Sequence, residues 1–378
     1  MEIHQIAKAT VENIVVSNKT IWRHVVLETD SGLTGIGEAS LDGASAGFDD
    51  ALLGAARALC GRRVDDAILT PLAVLLDHGL EQRTIHSALD QAVCDLSAKI
   101  AGVTVAALLG QPAGAGAIPL YANINRTSVD RHPDAIAKNA ALAAKEGFVG
   151  IKLAAFDGLS PELCGTPAGE DLIAAGLARL RAMAAAAPGA EIMVDCHWRF
   201  QTATALDLIP TLAEIGVTWF ECPLPETADQ IENLRSLRAA ANGHGMRLCG
   251  LETHGDWDDV APFVTAGAYD VIMPDVKHAG GLRTIAEIAR RAAAHDVAVS
   301  LHNPSGPVAH AASLQTATAI GGAERLEHQW HESDMFFSIT NPAPVIRNGQ
   351  AIANDLPGLG TALKTAVKKE TLVADSSQ

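Results

Sequence analysis

The chain has 378 residues, of which 48% are hydrophobic and 4% aromatic, and its formal net charge at pH 7 is −16. This length accommodates one α/β barrel domain of about 250 residues together with a smaller companion domain. The acidic excess disfavours binding to a nucleic-acid backbone, which needs clustered Lys and Arg side chains, and the shortage of aromatic residues disfavours stacking on bases.

The cysteine pattern and the N-terminus predict a cytoplasmic protein. Six cysteines occur without CxxC spacing and without a short disulfide framework, which is typical of free thiols in a reducing compartment. The N-terminal residues lack a basic region followed by an apolar run, and no uncharged apolar stretch reaches roughly 20 residues. We therefore expect neither a signal peptide nor a membrane span.

Residues 1–115 predict an α+β domain. Apolar runs on both sides of the turn Asp30-Ser31-Gly32 indicate an antiparallel meander. Between about residues 47 and 109, Ala and Leu recur at helical spacing. Strands followed by helices are typical of a separate α+β unit, and the Gly- and Pro-rich segment QPAGAGAIP at residues 111–119 is the predicted linker.

Residues 116–332 predict a (β/α) barrel of the TIM type. Strand-like and helical segments alternate from IPLYANIN and FVGIKLAA onward, and six later strands are each predicted to end at a titratable residue: Asp195, Glu221, Glu252, Asp275, His302 and Glu327. Their spacing of about 25 to 30 residues is that of one β/α unit. The tail, residues 333–378, loses this alternation and is predicted to return to the first domain.

Three of these strand-end carboxylates predict a metal site. Closure of the barrel brings Asp195, Glu221 and Glu252, from three consecutive strands, to one rim. One such acidic residue would more often be a helix cap, but three carboxylates close together repel one another unless a cation neutralises them. Oxygen ligands without Cys or paired His favour Mg²⁺.

Asp275 and His302, at the ends of neighbouring strands, predict a general base. A carboxylate that accepts a hydrogen bond from one imidazole nitrogen fixes the tautomer and raises the basicity of the other nitrogen. Glu327, on the next strand, is predicted either to bond a substrate oxygen or to pair with a basic neighbour.

Further candidates lie around the same rim. The stretch EIMVDCHW is predicted to be a buried strand that stops at Asp195 and then presents His197 on the same face, because side chains two apart on a strand share a face. Lys152 is predicted to point inward, as a catalytic group or as part of a structural ion pair. Four residues are weaker candidates for binding substrate hydroxyls: Asn123, Asn125, Arg199 and His254.

Several motifs resemble the enolase superfamily in its mandelate racemase-like branch, over nearly the whole chain. They are EGFVGIKLA, VDCHW, WFECPLPE, GLET, MPDVKHAGG with SLHNPSG, RLEHQW and the N-terminal ETDSGLTGIGEA. The resemblance implies a modified TIM-type barrel with an α+β capping domain and Mg²⁺ held by Asp195, Glu221 and Glu252. It also implies that the pair His302 and Asp275 removes the proton beside a substrate carboxylate, which forms a metal-stabilised enediolate.

Two differences from the racemases of that branch narrow the expected reaction. The usual second lysine on the second strand is replaced, since the chain reads Lys152-Leu153-Ala154, and two-base racemisation needs groups on both faces of the α-carbon. Asp195-x-His197 is instead similar to galactonate and mannonate dehydratases, where the histidine protonates the departing hydroxyl; the alternative is that His197 only bonds a substrate hydroxyl.

The sequence therefore predicts a Mg²⁺-dependent dehydratase that converts an aldonate-like sugar acid to a 2-keto-3-deoxy acid. We also expect a homo-oligomer. Two alternatives stay open, namely a racemase or epimerase of a carboxylate with another second base, and a non-catalytic relative that binds a sugar acid.

Overall fold

A computed structural model describes residues 3–110, 116–365 and 370–375 of the chain. The N-terminal domain opens with the antiparallel strands β1 (Ile6–Val15), β2 (Ile21–Thr29) and β3 (Thr34–Glu38). Its helices are α1 (Phe48–Arg57), a 3₁₀ helix (Thr70–Asp77), α2 (Leu80–Ala101) and α3 (Val105–Leu108). The predicted meander and helices are thus present, and residues 111–115 of the predicted linker lie outside the described residues.

The sheet packs closely on α2 because β3 carries glycine where the two elements touch. A Cβ atom at Gly35 would lie 2.2 Å from the carbonyl oxygen of Ala92, and one at Gly37 would lie 2.0 Å from that of Ala88. Any larger residue at either position would push α2 away from the sheet. This contact fixes α2, which in turn lies over the barrel.

Eight parallel strands form a closed barrel, which confirms the predicted fold. They are β4 (Ile118–Asn123), β5 (Gly150–Ala154), β6 (Glu191–Asp195), β7 (Val217–Glu221), β8 (Arg247–Gly250), β9 (Val271–Ile272), β10 (Ala298–Leu301) and β11 (Ala323–Gln329). The last strand pairs with the first, in the register Leu326 to Leu120 and Gln329 to Asn123. Closure leaves no free sheet edge and brings every strand's carboxyl end to one rim.

Helices on the outside of the barrel follow its strands. They are α4 (Pro133–Lys145), α5 (Pro167–Ala186), α6 (Thr202–Ile215), α7 (Ile231–Gly243), α8 (Trp257–Thr265), α9 (Leu282–Ala293) and α10 (Pro307–Ile320), with short 3₁₀ helices at Pro161–Leu163, Ala228–Gln230 and Asp334–Phe337. The barrel interior below the rim is filled by a separate apolar cluster that includes Tyr121, Met193, Trp219 and Cys249. This packing closes the barrel at depth, so a pocket inside the barrel must lie at its rim.

The C-terminal tail divides between the two domains. Its strands are β12 (Thr340–Asn341), β13 (Ile346–Arg347), β14 (Gln350–Ala351), β15 (Ala362–Leu363) and β16 (Glu370–Asp375). β16 pairs with β1 in the N-terminal sheet, whereas β14 pairs antiparallel with the start of β4 in the barrel. The predicted return of the whole tail to the first domain therefore needs correction, because the start of β4 offers backbone groups that β14 satisfies.

The N-terminal domain is held over the rim by a buried carboxylate. Glu38, at the end of β3, accepts hydrogen bonds from the backbone N–H groups of Gly306 and Ala309, each at 2.8 Å, where α10 begins. Unpaired N–H groups in the first turn of a helix favour a negative charge at that position. In the described part of the chain, every helix is too short or too polar to cross a membrane.

Candidate active site

A cavity of about 300 Å³ lies between the barrel rim and the N-terminal domain. The barrel contributes Asn123, Asn125, Asp195, His197, Glu252 and His302 to its walls, and the N-terminal domain contributes residues 19–21 and 40–42. A larger groove of about 750 Å³ on the outer surface is lined by other residues, including Arg283, Glu287 and Arg290. The titratable candidates converge on the smaller cavity, which we treat as the site.

The loop at residues 19–21 is fastened to the barrel by a polar contact. Thr20 donates a hydrogen bond from its hydroxyl to Glu332, and Arg126 lies with a guanidinium nitrogen 3.2 Å from the Thr20 hydroxyl and 3.3 Å from a Glu332 carboxylate oxygen. The domain that covers the cavity is therefore bound to the loops that follow β4 and β11.

His302 and Asp275 form a directly bonded pair. The Nδ1 atom of His302 lies 2.8 Å from Oδ2 of Asp275, and the two residues are joined by a parallel bridge between adjacent strands. Burial lowers the pKa of His302, but the carboxylates of Glu252 and Glu327 and the bond to Asp275 outweigh it and raise that pKa to about 9. The Nε2 atom, which lies 3.5 Å from Glu252 and 3.6 Å from Glu327, is the nitrogen left to exchange a proton.

The three predicted metal ligands follow consecutive strands at neighbouring positions. Asp195 ends β6 and pairs in register with Glu221, which ends β7. Glu252 follows β8 by two residues, after Leu251 adopts a left-handed backbone with φ of 71°. The predicted strand thus ends at Gly250, because a left-handed residue cannot continue a parallel ladder.

These carboxylates bond protein groups in the orientation observed. Glu221 accepts from the Lys152 ammonium at 2.5 Å and from the Trp219 indole at 2.8 Å, while Asp195 contacts His197. In the described residues, no group of three or more His, Cys, Asp or Glu side chains stands close enough together to hold an ion. The predicted metal site therefore lacks a preformed cage in this side-chain arrangement.

The donor set nevertheless fits a hard divalent cation. Burial raises the pKa of Glu221 to about 8; Lys152 opposes this shift, and the carboxylates of Asp195, Glu252 and Glu327 add to it. Three neighbouring carboxylates repel one another unless positive charge compensates them, and oxygen donors of this kind are the ligands that Mg²⁺ prefers. Each carboxylate oxygen also has two lone pairs, so one hydrogen bond leaves it able to ligate.

His197 lies in a turn and not on a strand. β6 ends at Asp195, which confirms the predicted strand end, but His197 and Trp198 have φ of 47° and 57°, so the strand spacing used to orient His197 does not extend to it. The side chain nevertheless reaches Asp195, with Nε2 2.7 Å from Oδ2, because the turn folds it back over the strand end. Its Nδ1 atom is the ring nitrogen outside that pair, and the negative charge of Asp195 raises the pKa of the imidazole.

Lys152 and Glu327 lie deeper in the barrel. The Lys152 ammonium, 1% exposed, lies 2.5 Å from Glu221 and 3.0 Å from Glu327. Glu327 also accepts from the Asn123 amide at 2.6 Å and from the backbone N–H of Asn303 at 3.1 Å. Neither Lys152 nor Glu327 lines the cavity, and their catalytic roles stay a prediction.

The four weaker candidates separate into two groups. Asn123 and Asn125 line the cavity. Arg199 and His254 do not, because Arg199 donates to the carbonyl oxygen of Phe156 at 2.5 Å and His254 packs edge-on against Phe263. Contacts to substrate stay a prediction for all four residues, of which the structure brings only Asn123 and Asn125 to the cavity wall.

Lys277 is a cavity residue that the sequence analysis did not single out. Its ammonium, in a side chain 3% exposed, lies 3.1 Å from Asp275 and 3.3 Å from the carbonyl oxygen of Ser40 in the N-terminal domain. Its position two residues after Asp275 in MPDVKHAGG is the sequence signal that could have identified it. Only the folded structure, with the N-terminal domain in contact, shows that the Lys277 charge lies beside the pair of His302 and Asp275.

A parallel barrel with acid–base side chains at its C-terminal rim, covered by an α+β domain, defines a class of barrel enzymes. Residues 4–110 match the family model described as "Mandelate racemase / muconate lactonizing enzyme, N-terminal domain", and residues 135–367 match "Enolase C-terminal domain-like". The chain belongs to the mandelate racemase / muconate lactonizing enzyme family of the enolase superfamily, which confirms the resemblance seen in its motifs.

Individual relatives share less than a third of their residues with this chain. A D-galactonate dehydratase of Ralstonia pickettii is 29% identical over 360 residues, which cover 92% of this chain and 90% of that protein. A D-xylonate dehydratase of Haloferax volcanii is 29% identical over 178 residues, 46% of this chain and 41% of that protein. A solved enolase-superfamily structure from Salmonella Typhimurium superposes with a TM-score of 0.84 at 21% identity, over 98% of this chain and 100% of that one, and shows the shared fold.

Proposed function

We propose that this protein is a divalent-metal-dependent dehydratase of a sugar acid. The observation that carries the proposal is a pair of imidazoles, His302 and His197, that line one cavity and are each bonded to a separate carboxylate, Asp275 and Asp195. Removing an α-proton and expelling a β-hydroxyl requires two such groups. The relatives named as D-galactonate and D-xylonate dehydratases support the same reaction class.

In the proposed reaction His302 is the base. Asp275 holds Nδ1, so Nε2 takes the α-proton and the electrons of the broken C–H bond form a double bond to the carboxylate carbon. A cation bound by Asp195, Glu221 and Glu252 would supply charge stabilisation to the substrate carboxylate as this proton leaves. Lys277 keeps a positive charge beside Asp275 while His302 gains its proton.

His197 completes the elimination as the acid. The C–O bond at the β-carbon breaks as His197 gives a proton to the departing oxygen, so that water leaves and the enol product becomes a 2-keto-3-deoxy acid. Asp195 holds the imidazole through Nε2, which leaves Nδ1 to face the substrate. His302 and His197 are therefore paired with different carboxylates, so the base and the acid are two separate groups.

The geometry disfavours racemisation. The position of the usual second lysine is Ala154, which is buried beside Asp195 in the register of β5 and β6. Lys152 is engaged by Glu221 and Glu327 below the cavity.

A screen of sugar acids in deuterated buffer, with Mg²⁺ and with a chelator, tests the proposal. We expect keto-acid formation that the chelator abolishes and Mg²⁺ restores. The variant His197→Asn should lose keto-acid formation and retain deuterium exchange at the α-carbon, whereas His302→Asn should lose both. Exchange with epimerisation but no keto acid in the parent protein would indicate an epimerase, and metal-dependent binding without either reaction would indicate a binding protein.

A further inference from the structure

Three consecutive loops at the rim contain residues in the left-handed backbone region that are not glycine. After β6 these are His197 and Trp198, after β7 the residue is Cys222 with φ of 46°, and after β8 it is Leu251 with φ of 71°. A side chain with a Cβ atom disfavours this conformation, which persists only where the surrounding structure holds it. These turns therefore need a group that bonds the loops and holds them.

One carboxylate bonds the first and the third of these loops. Glu226, in the loop after β7, accepts at Oε1 from the backbone N–H of Leu251 at 2.6 Å and from the Tyr269 hydroxyl at 2.8 Å. At Oε2 it accepts from the indole N–H of Trp198 at 3.0 Å. Its side chain is 3% exposed, so these bonds are sheltered from water.

The backbone leaves a space that fits this carboxylate. A Cβ atom at position 250 would lie 2.1 Å from Oε1 of Glu226 and 2.8 Å from a ring carbon of Tyr269. Gly250 therefore permits the approach, and any other residue there would displace the carboxylate. Glu226 does not itself line the cavity, so it acts through the loops it bonds.

We propose that Glu226 is a positioning residue that holds the loops after β6 and β8 in left-handed turns and so aims His197 and Glu252 into the cavity. The two carboxylate oxygens bond different loops: Oε2 accepts from Trp198, the residue after His197, and Oε1 accepts from Leu251, the residue before Glu252. The assignment of a proton-donor role to His197 rests on the function proposed above. The effect of Glu226 on Glu252 rests on the backbone bond to Leu251.

Glu226→Gln tests the Oε2 bond separately. The amide oxygen is expected at the Oε1 position, where it keeps two donors, so the amide NH₂ faces the indole N–H of Trp198 as donor against donor. Trp198→Phe removes the same bond from the other side. We expect each variant to lower keto-acid formation about 10–100-fold while deuterium exchange at the α-carbon persists, and we expect the double variant to lose no more than either single one.

Tyr269→Phe is the matched control, because it removes a bond to Glu226 without changing Trp198 or Leu251. It should leave the ratio of exchange to keto-acid formation as in the parent protein. A general loss of folded protein would lower both rates together and leave this ratio unchanged. Equal losses of both rates in Glu226→Gln and Trp198→Phe, or no loss, would overturn the proposal for His197.

The Oε1 bond is tested by Mg²⁺ titration in a calorimeter, which needs no substrate. Glu226→Ala and Gly250→Ala should weaken Mg²⁺ binding about 10–100-fold, because the Leu251 turn that aims Glu252 is released, and Glu226→Gln should bind as the parent does. Unchanged affinity in Glu226→Ala overturns this part. If no sugar acid reacts with the parent protein, the proposed function fails and the calorimetric comparison still decides the role of Glu226.

Discussion

Single residues in the barrel depend on charges that compensate one another away from water. Lys152 lies between Glu221 and Glu327, and all three side chains are almost fully buried. Burial lowers the pKa of Lys152, but the two carboxylates outweigh it and keep that pKa well above its usual range. The ammonium is therefore a permanent counter-charge under the rim.

Replacing Lys152 by Met should destabilise the fold by about 3–5 kcal/mol, because two buried carboxylates lose their cation. Denaturant unfolding in the presence of a chelator measures this free energy. Arg235→Met is the control, since Arg235 and Glu232 form a surface pair with 50% and 76% exposed side chains and should change stability by about 0.5 kcal/mol or less. Similar effects of the two substitutions would contradict the buried ion-pair account.

His310 predicts a loss of stability in acid. Its ring packs against His328 at 5.9 Å and Phe336 at 5.3 Å, and neither ring nitrogen has a hydrogen-bond partner among the described residues. Burial lowers its pKa to about 4, so the folded state keeps it neutral while the unfolded state gains a proton below a pH of about 6.5. Its contribution is therefore complete above that pH and is lost as the pH falls from about 6.5 towards 4.

Between pH 7.5 and pH 5 this one group should cost about 2 kcal/mol of unfolding free energy. The variant His310→Phe should remove that part of the pH dependence, as measured by urea unfolding at both values. Ser313→Ala, on the same helix and equally buried, changes an uncharged group and should shift stability equally at the two pH values. A pH dependence that His310→Phe leaves intact would show that another group is responsible.

At the scale of secondary-structure elements, the contact between β3 and α10 joins the two domains. The Glu38 carboxylate accepts two backbone N–H groups in the first turn of α10, and Ser305, immediately before that helix, lines the cavity. The position of the cavity wall thus depends on a carboxylate from the other domain. A charge at a helix N-terminus also matches the helix dipole.

Glu38→Gln should lower the unfolding free energy by about 2 kcal/mol, because the amide NH₂ must face one of the two N–H donors. Glu81→Gln is the matched control, since Glu81 also accepts two bonds, from the N–H and hydroxyl of Ser45, but within one domain and open to solvent. Thermal unfolding compares the two variants. An equal effect would mean that the contact to α10 adds nothing beyond an ordinary surface bond.

At the scale of the whole molecule, the two ends of the chain are joined in one sheet. β16 pairs with β1 in the register Lys8 to Asp375 and Asn13 to Glu370, so an element that follows the whole barrel completes the N-terminal sheet. The covering domain therefore cannot acquire its full sheet until the chain after the barrel is present. Without β16, β1 still pairs with β2, but its other side becomes an unpaired sheet edge.

Truncation after Thr365 should expose the outer edge of β1. We expect faster hydrogen exchange at those β1 amides that face β16, while amides of the barrel strands keep their protection. Truncation after Asp375 retains β16 and is the control. Unchanged hydrogen exchange in β1 after truncation at Thr365 would show that β16 does not stabilise this sheet.

The sequence by itself determined the alternation of strands and helices, the closed barrel and the rim position of Asp195, Glu252 and His302, whereas Glu327 lies deeper, inside β11. Each of these follows from local periodicity, since an apolar strand that ends in an acid places that acid at a barrel rim whatever the neighbouring strands contain. Asp275 and His302 were paired correctly for this reason, because adjacent strands carry them to adjacent positions. The family could likewise be identified from short sequence motifs, and the family models confirm it.

Only the tertiary structure decided which hydrogen-bond and packing partners these side chains have. The turn that bends His197 back to Asp195, the packing of His254 against Phe263, and the bonds of Glu226 to Trp198 and Leu251 depend on backbone conformations outside regular elements and on contacts between separate loops. The same holds for the division of the C-terminal tail between β4 and β1. Periodicity gives the direction of a side chain within a strand, but left-handed turns and long-range pairings are fixed by the groups that meet in the folded chain.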